Sequence, residues 1–207
     1  MSDDHYFTAR PASAAERRLV RVTLAGRDVE VETAGGIFSP GRIDLGTQVL
    51  LRTVPEPPRG GELLDLGCGW GPLALTLAIE SPDAHVWAVD VNERALDLVA
   101  HNARRLGLEN VTACTPDAVP HDVELAAIWS NPPIRVGKDV LHAMMVQWLP
   151  HLSDGASAHL VVQRNLGADT LHRWLDDHLT EIVGGRTATV TRLASAKGFR
   201  ILEVCVG

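Results

Sequence analysis

From residue 62 onward this chain exchanges short apolar runs for helical ones in regular alternation, a pattern that few architectures accept. Residues 63–66, 85–90, 111–114, 125–130 and 158–162 read as strands, several of them apolar throughout as strands buried on both faces are. Residues 73–79, 94–106, 140–151 and 170–179 read as the helices between them. Parallel strands need crossover connections, and a helix is the usual crossover. The expected fold is therefore α/β, with a largely parallel sheet covered on both faces. Two more strand-like runs, 188–192 and 200–206, flank Ser195-Ala196-Lys197-Gly198 as a closing hairpin, so at least one strand runs antiparallel.

The first part of the chain is different. Residues 1–17 are poorly periodic. Residues 19–24 and 29–33 read as a β-hairpin joined through Ala25-Gly26-Arg27-Asp28. A loop follows over 35–41, then a helical run over 44–53. The Pro-rich stretch from Pro55 to Gly61 marks a boundary, dividing an N-terminal appendage (1–56) from the main domain (57–207).

Composition excludes several classes. At 207 residues and 45% hydrophobic, the chain suits one large domain with a full core. No apolar run nears the ~20 residues that cross a bilayer, and the acidic N-terminus lacks an apolar signal region, so a cytoplasmic protein without membrane contact is expected. Cys68, Cys114 and Cys205 are far apart, with no CxxC pair and no HExxH among the His, so free thiols and no metal site are expected. A net charge of −7 argues against a broad nucleic-acid surface and leaves only local contacts. Arg17-Arg18 with Arg21, Arg104-Arg105, and Lys197 with Arg200 read as solvated faces, whereas Arg135 and Lys138 adjoin the motif described below.

Asp65-Leu66-Gly67-Cys68-Gly69-Trp70-Gly71-Pro72 follows the first main-domain strand and opens a helix. Glycines there allow tight turns and close approach of backbone to a ligand. The spacing is Gly-x-Gly-x-Gly, and the third glycine of a dinucleotide fingerprint would fall on Pro72. Asp65 suits a cationic amino group better than a pyrophosphate. Asp90, ending the next strand, suits both hydroxyls of a ribose. A nucleoside carrying an amino acid meets both demands, and S-adenosylmethionine is such a molecule. Asp65, Gly67, Cys68, Gly69, Gly71, Asp90 and Val91 form the expected cofactor set. Asp117 either meets the adenine amine or is an exposed loop acid, and Asn92 either nears the ribose or caps the helix from Glu93.

Asn131-Pro132-Pro133 ends the run 125–130. Proline donates no ladder hydrogen bond and holds the residue before it extended. The chain thus leaves the sheet in a stiff shape that presents the Asn131 side chain and nearby carbonyls as acceptors. Such acceptors suit an amino group about to react, with Asn131 shared between cofactor and substrate. No triad spacing is evident.

These residues resemble the class I S-adenosylmethionine-dependent methyltransferases, and among them the "methyltransferase small" family with its 16S rRNA guanine-N2 enzymes. The resemblance rests on His5-Tyr6-Phe7, Gly36-Ile37-Phe38-Ser39, Asp44-Leu45-Gly46, residues 64–72, Asp90-Val91-Asn92, and Ser130-Asn131-Pro132-Pro133-Ile134-Arg135 with Gly137-Lys138. It implies a Rossmann-like seven-stranded sheet with a reversed last strand. It also implies an exocyclic amine held by Asn131 and Pro132, with Pro133 completing the catalytic motif. The implied acceptor is guanine N2 of 16S rRNA, free or in the small ribosomal subunit. Adenine N6, a protein glutamine amide, and a non-catalytic cofactor-binding module are the alternatives. Two departures stand out. Ile134 occupies a position often aromatic, and 207 residues do not accommodate the degenerate second domain of the well-known ribosomal members. Phe38 either replaces the missing stacking platform or anchors its loop in the core. Arg135 and Lys138 either meet a backbone phosphate or are solvated.

Overall fold

The computed structural model describes residues 16–207, so His5-Tyr6-Phe7 lies outside the described residues, as does the side chain of Arg135. Strands β1 (Arg17–Leu24) and β2 (Arg27–Ala34) pair antiparallel as a hairpin. Its two-residue turn has φ of 48° at Ala25 and 70° at Gly26, the positive pair that matches the twist of flanking strands. Helix α1 (Leu45–Thr53) follows, with the Asp44 side chain capping the amide of Gly46 at 2.8 Å.

The main sheet holds β3 (Gly60–Leu66), β4 (Asp83–Val89), β5 (Val111–Cys114), β6 (Leu125–Ser130), β7 (Leu152–Gln163), β8 (Ala188–Ala196) and β9 (Phe199–Val206). Their spatial order is β5-β4-β3-β6-β7-β9-β8. Pairings from β5 across to β7 are parallel, while β9 runs antiparallel to both β7 and β8. The closing hairpin of the sequence therefore wedges β9 between β7 and β8. Helices α2 (Pro72–Glu80), α3 (Glu93–Arg105), α4 (Lys138–Trp148) and α5 (Ala168–Ile182) connect them.

Alternation along β3 assigns the two faces. Leu64 and Leu66 join the core beneath α4 and α5, with Met145, Trp148, Leu171 and Leu175. Leu63 joins the core beneath α1 and α2, with Leu50, Ala74 and Leu77. Asp65, sharing the parity of Leu63, thus points beneath α2.

Helix α2 is apolar almost all round, and residues Leu73 to Ala78 are all buried. The hairpin explains this. Leu24 and Val31 of the hairpin share a third core with Leu75 of α2, Leu98 of α3 and Trp70 of the glycine loop. Asn102 of α3 ties the hairpin down: it accepts the Glu32 amide at 2.7 Å and donates to the carbonyls of Glu32 at 3.0 Å and Trp70 at 3.2 Å. The segment expected as an appendage therefore shares a packed core with the main domain. Several cations of the expected patches are engaged locally: Arg17 with Glu32 and Asp97, Arg21 and Arg105 with Glu30, and Arg200 with Asp169.

Candidate active site

Three adjacent strands end together. Leu66 of β3 lies in register with Val89 of β4 and with Ser130 of β6. The residues that follow are Gly67, Asp90 and Asn131. Because β4 and β6 flank β3, the glycine loop rises between Asp90 on one side and Asn131 on the other. The chain moves outward from β3 to β5 and then returns to β6 across the starting strand. Such reversals open a crevice at the carboxyl ends of the strands.

The loop is held by its own backbone. Amides of Gly67 and Cys68 both donate to the Val89 carbonyl, at 2.8 and 3.0 Å, and the Gly71 amide donates to the Cys68 carbonyl at 2.9 Å. Gly67, Gly69 and Gly71 have φ of 80°, 55° and 96°, a region closed to most side chains. A Cβ on Gly71 would also stand 3.0 Å from Val99, so this glycine serves the packing of α2 on α3 and does not border the cavity. Trp70 turns away from the ligand side into the hairpin core.

The two acids differ. Asp90 accepts the Gly69 amide at Oδ2 and the Asn92 amide at Oδ1, each at 2.9 Å, and burial raises its pKa against those bonds. Asp65 is fully buried. Its Oδ2 accepts the Ala74 amide at 2.8 Å, while Oδ1 has no partner. Burial pushes its pKa up to about 8; the nearby Asp90 charge adds to the rise and the Ala74 amide opposes it. The Cys68 thiol is buried and its pKa is pushed well up by burial, with Sγ near the Gly69 carbonyl. Asp117 is exposed on a 3-10 turn and hydrogen-bonded to Thr115, and its neighbour Pro116 borders the cavity instead. Asn92 caps α3, accepting the Arg94 amide at 3.0 Å, and donates to the Gly36 carbonyl at 3.0 Å.

Asn131 is held from behind. Its Nδ2 donates to Asp44 Oδ2 and to Thr47 Oγ1, both at 3.0 Å. An ionised carboxylate only accepts, so the amide nitrogen must face Asp44. The amide therefore offers Oδ1 to the cavity. The Pro132 carbonyl accepts the Ile134 amide at 2.8 Å across an inverse γ-turn at Pro133, with φ −74° and ψ 73°. One lone pair of that carbonyl remains available.

A cavity of about 630 Å³ joins these groups. That is the size of a small-molecule site. Its lining includes Gly67, Gly69, Asp90, Val91 and Pro116, and a largely apolar slot is made by Phe38, Ile134, Trp148, Leu166 and Phe199 with Gln163. A small annex of about 20 Å³ lies among Asp65, Asp44, Thr47 and Asn131. Phe38 borders the slot at 39% exposure, while Ile37 beside it is 5% exposed and anchors the loop in the core. Lys138 is exposed at the start of α4 and does not border the cavity.

Sequence reasoning missed Asp44, Thr47, Gln163, Trp148 and Phe199. Asp44 entered only within the Asp44-Leu45-Gly46 motif of the resemblance, and its contact with Asn131 spans 87 residues and leaves no local trace. Among the described residues, no three His, Cys, Asp or Glu side chains are grouped to hold a metal ion, and no helix is long and apolar enough to cross a membrane.

The residues fit S-adenosylmethionine. The orphan Oδ1 of Asp65, beside an annex that Asp44 also borders, suits an ammonium group. The anchored Asp90 carboxylate keeps lone pairs for ribose hydroxyls, and Val91, 49% exposed, offers an apolar surface next to it.

A parallel sheet with one reversed strand, a glycine loop between two acids and an acceptor-lined strand exit define a Rossmann-like methyltransferase fold. The family model described as "Methyltransferase small domain" matches residues 28–203, and the chain belongs to that family. It is 32% identical over 182 residues to the Bacillus subtilis protein named "Uncharacterized protein YbxB", covering 86% of this chain and 90% of the relative. It is 33% identical over 205 residues to ribosomal RNA small subunit methyltransferase C of Stutzerimonas stutzeri, where it covers 96% of this chain and 58% of the relative. The chain thus spans little more than half of that enzyme. Among solved structures, the Thermus thermophilus 16S rRNA N2 G1207 methyltransferase (RsmC), in complex with AdoMet and guanosine, superposes with a TM-score of 0.73 at 25% identity. That match covers 93% of this chain and 51% of the other.

Proposed function

We propose that this protein moves a methyl group from S-adenosylmethionine to the exocyclic amine of an RNA base, guanine N2 of 16S rRNA. The observation that carries the reading is the Asn131 amide at the cavity border, whose nitrogen is engaged by Asp44 and Thr47, which leaves its oxygen as the acceptor. The likeness to the small-subunit methyltransferase C enzymes and to a structure holding guanosine supports the choice of base.

A base amine is a weak nucleophile because its lone pair is delocalised into the ring. Asn131 Oδ1 and the free lone pair of the Pro132 carbonyl accept its two N–H groups. That draws the nitrogen towards tetrahedral geometry and turns its lone pair across the crevice. When bound, S-adenosylmethionine would supply a sulfonium methyl group to that nitrogen, the C–S electron pair leaving with sulfur. The methylated nitrogen then sheds one proton to water as the base leaves the slot. Positioning and fixed dipoles do the work, so no Ser, Cys or Lys nucleophile is needed. Phe38 stacks on the base, Ile134 supplies an aliphatic wall, and the apolar slot excludes water. Lys138, outside the slot, meets a backbone phosphate.

The test is incubation with methyl-labelled cofactor and, separately, under-methylated 30S particles, naked rRNA, DNA and protein. Label recovered as N2-methylguanosine supports the proposal. Label in N6-methyladenosine or in glutamine replaces the acceptor. Tight cofactor binding with no transfer to any of them replaces catalysis with a binding role.

A further inference from the structure

We propose that Asp44 is a positioning residue for methyl transfer: together with Thr47 it determines which end of the Asn131 amide meets the acceptor amine. The inference rests on the reading of Asn131 as the acceptor of that amine.

The two ends of an Asn amide have nearly the same shape and opposite hydrogen-bonding character. Its last torsion has broad, roughly two-fold preferences, so packing alone discriminates weakly between the two settings. A reversed amide would point N–H at N–H and could hold no amine. In this structure both amide protons are taken, one by Asp44 Oδ2 and one by Thr47 Oγ1, each at 3.0 Å. Reversal would set the amide oxygen against a carboxylate oxygen at that distance, with Thr47 only 3% exposed. Bonds to a carboxylate also polarise the amide and strengthen its oxygen as an acceptor.

A second observation shows that the chain is shaped around this contact. Asp44 Oδ2 also accepts the Gly46 amide at 2.8 Å, so the helix cap fixes the carboxylate. A Cβ on Gly46 would lie 2.9 Å from that same Oδ2 and 2.9 Å from Phe199 Cε1. Glycine at 46 lets the cap sit between Asn131 and the cavity wall. The start of α1, in the segment before the main domain, thereby becomes part of the transfer machinery.

The test compares two substitutions. Asp44→Ser keeps a good helix cap but is too short to reach Asn131. Asp44→Asn keeps an oxygen where Oδ2 stands, because the Gly46 amide can only face oxygen. With labelled cofactor at saturation and the substrate accepted by the wild type, Asp44→Ser is expected to lower kcat by about ten- to a hundred-fold, with KM for the acceptor within about two-fold. Asp44→Asn is expected to recover most of that loss. In parallel, the Asn131 side-chain NH₂ resonances, assigned by their absence in Asn131→Ala, should exchange slowly in wild type and Asp44→Asn and quickly in Asp44→Ser. Unchanged kcat in Asp44→Ser, an equal loss in Asp44→Asn, or fast exchange in the wild type overturns the inference. Should the wild type methylate none of the substrates, the proposed function fails, and the exchange measurement still decides whether Asp44 orients the amide.

Discussion

The Gly69 amide donates to Oδ2 of Asp90 over 2.9 Å, joining two strand exits that lie 21 residues apart in sequence. The carboxylate that borders the cavity therefore also holds the middle of the glycine loop. Asp90→Ala is expected to weaken cofactor binding by about a hundred-fold or more, since hydrogen bonds to a charged acceptor contribute about 1.5–3 kcal/mol each. Asp90→Asn should fall between, as it keeps one acceptor. Isothermal titration measures both, and wild-type affinity in Asp90→Ala would remove Asp90 from the cofactor site.

Asp65 makes stability pH-dependent in an unusual direction. Its folded pKa of about 8 lies above the ordinary carboxylate range. Between pH ~4 and about 8 the folded state holds a proton that the unfolded chain has released. The stabilisation from this group is complete below ~4, falls as pH rises at up to about 1.4 kcal/mol per unit, and is lost above the folded pKa. Asp65→Asn lacks this titration. Its stability relative to wild type should grow across that window and then level off, as urea unfolding at a series of pH values would show. A constant difference across the window contradicts the account.

Asn131→Ala separates chemistry from binding. Methyl transfer is expected to fall by about 10²–10³, the usual cost of losing a preorganised donor or acceptor at a reacting centre. Cofactor affinity should fall far less, because Gly67, Gly69 and Asp90 still border the cavity. Transfer near the wild-type rate would refute the amine-holding role.

Asn102→Ala tests the docking of the hairpin. The substitution removes three hydrogen bonds at a fully buried side chain and strands the Glu32 amide and carbonyl beneath the hairpin. A loss of about 2–4 kcal/mol is expected, as unsatisfied buried groups cost about 1–3 kcal/mol each. Denaturant unfolding and limited proteolysis within β1 and β2 would report it. Unchanged stability and protease resistance would show that apolar contacts alone hold the hairpin.

Much of the fold was legible because it is written in short periods. The runs at 111–114 and 125–130 coincide with β5 and β6. The run at 158–162 captured only the C-terminal part of β7, whose start at Leu152 passes through Ser153, Asp154 and Gly155 without an apolar pattern. The helical run to His151 ends earlier, at Trp148, and continues as a 3-10 turn through Pro150. At the site, Asp90 and Asn131 were readable because each ends a strand beside a motif. Asp44 was not, because nothing near it in the chain mentions Asn131.

What the sequence by itself determined is the set of local commitments. Apolar runs had to become central strands, closely spaced glycines had to form the loop after β3, and two prolines had to end β6 stiffly. What only the tertiary structure decided is which commitments meet. The return of β6 beside β3 aligned Leu66 with Ser130, and the packing of α1 brought Asp44 within 3.0 Å of Asn131. The orientation of one amide depends on that contact, and contacts across 87 residues follow from global packing, which no local pattern encodes.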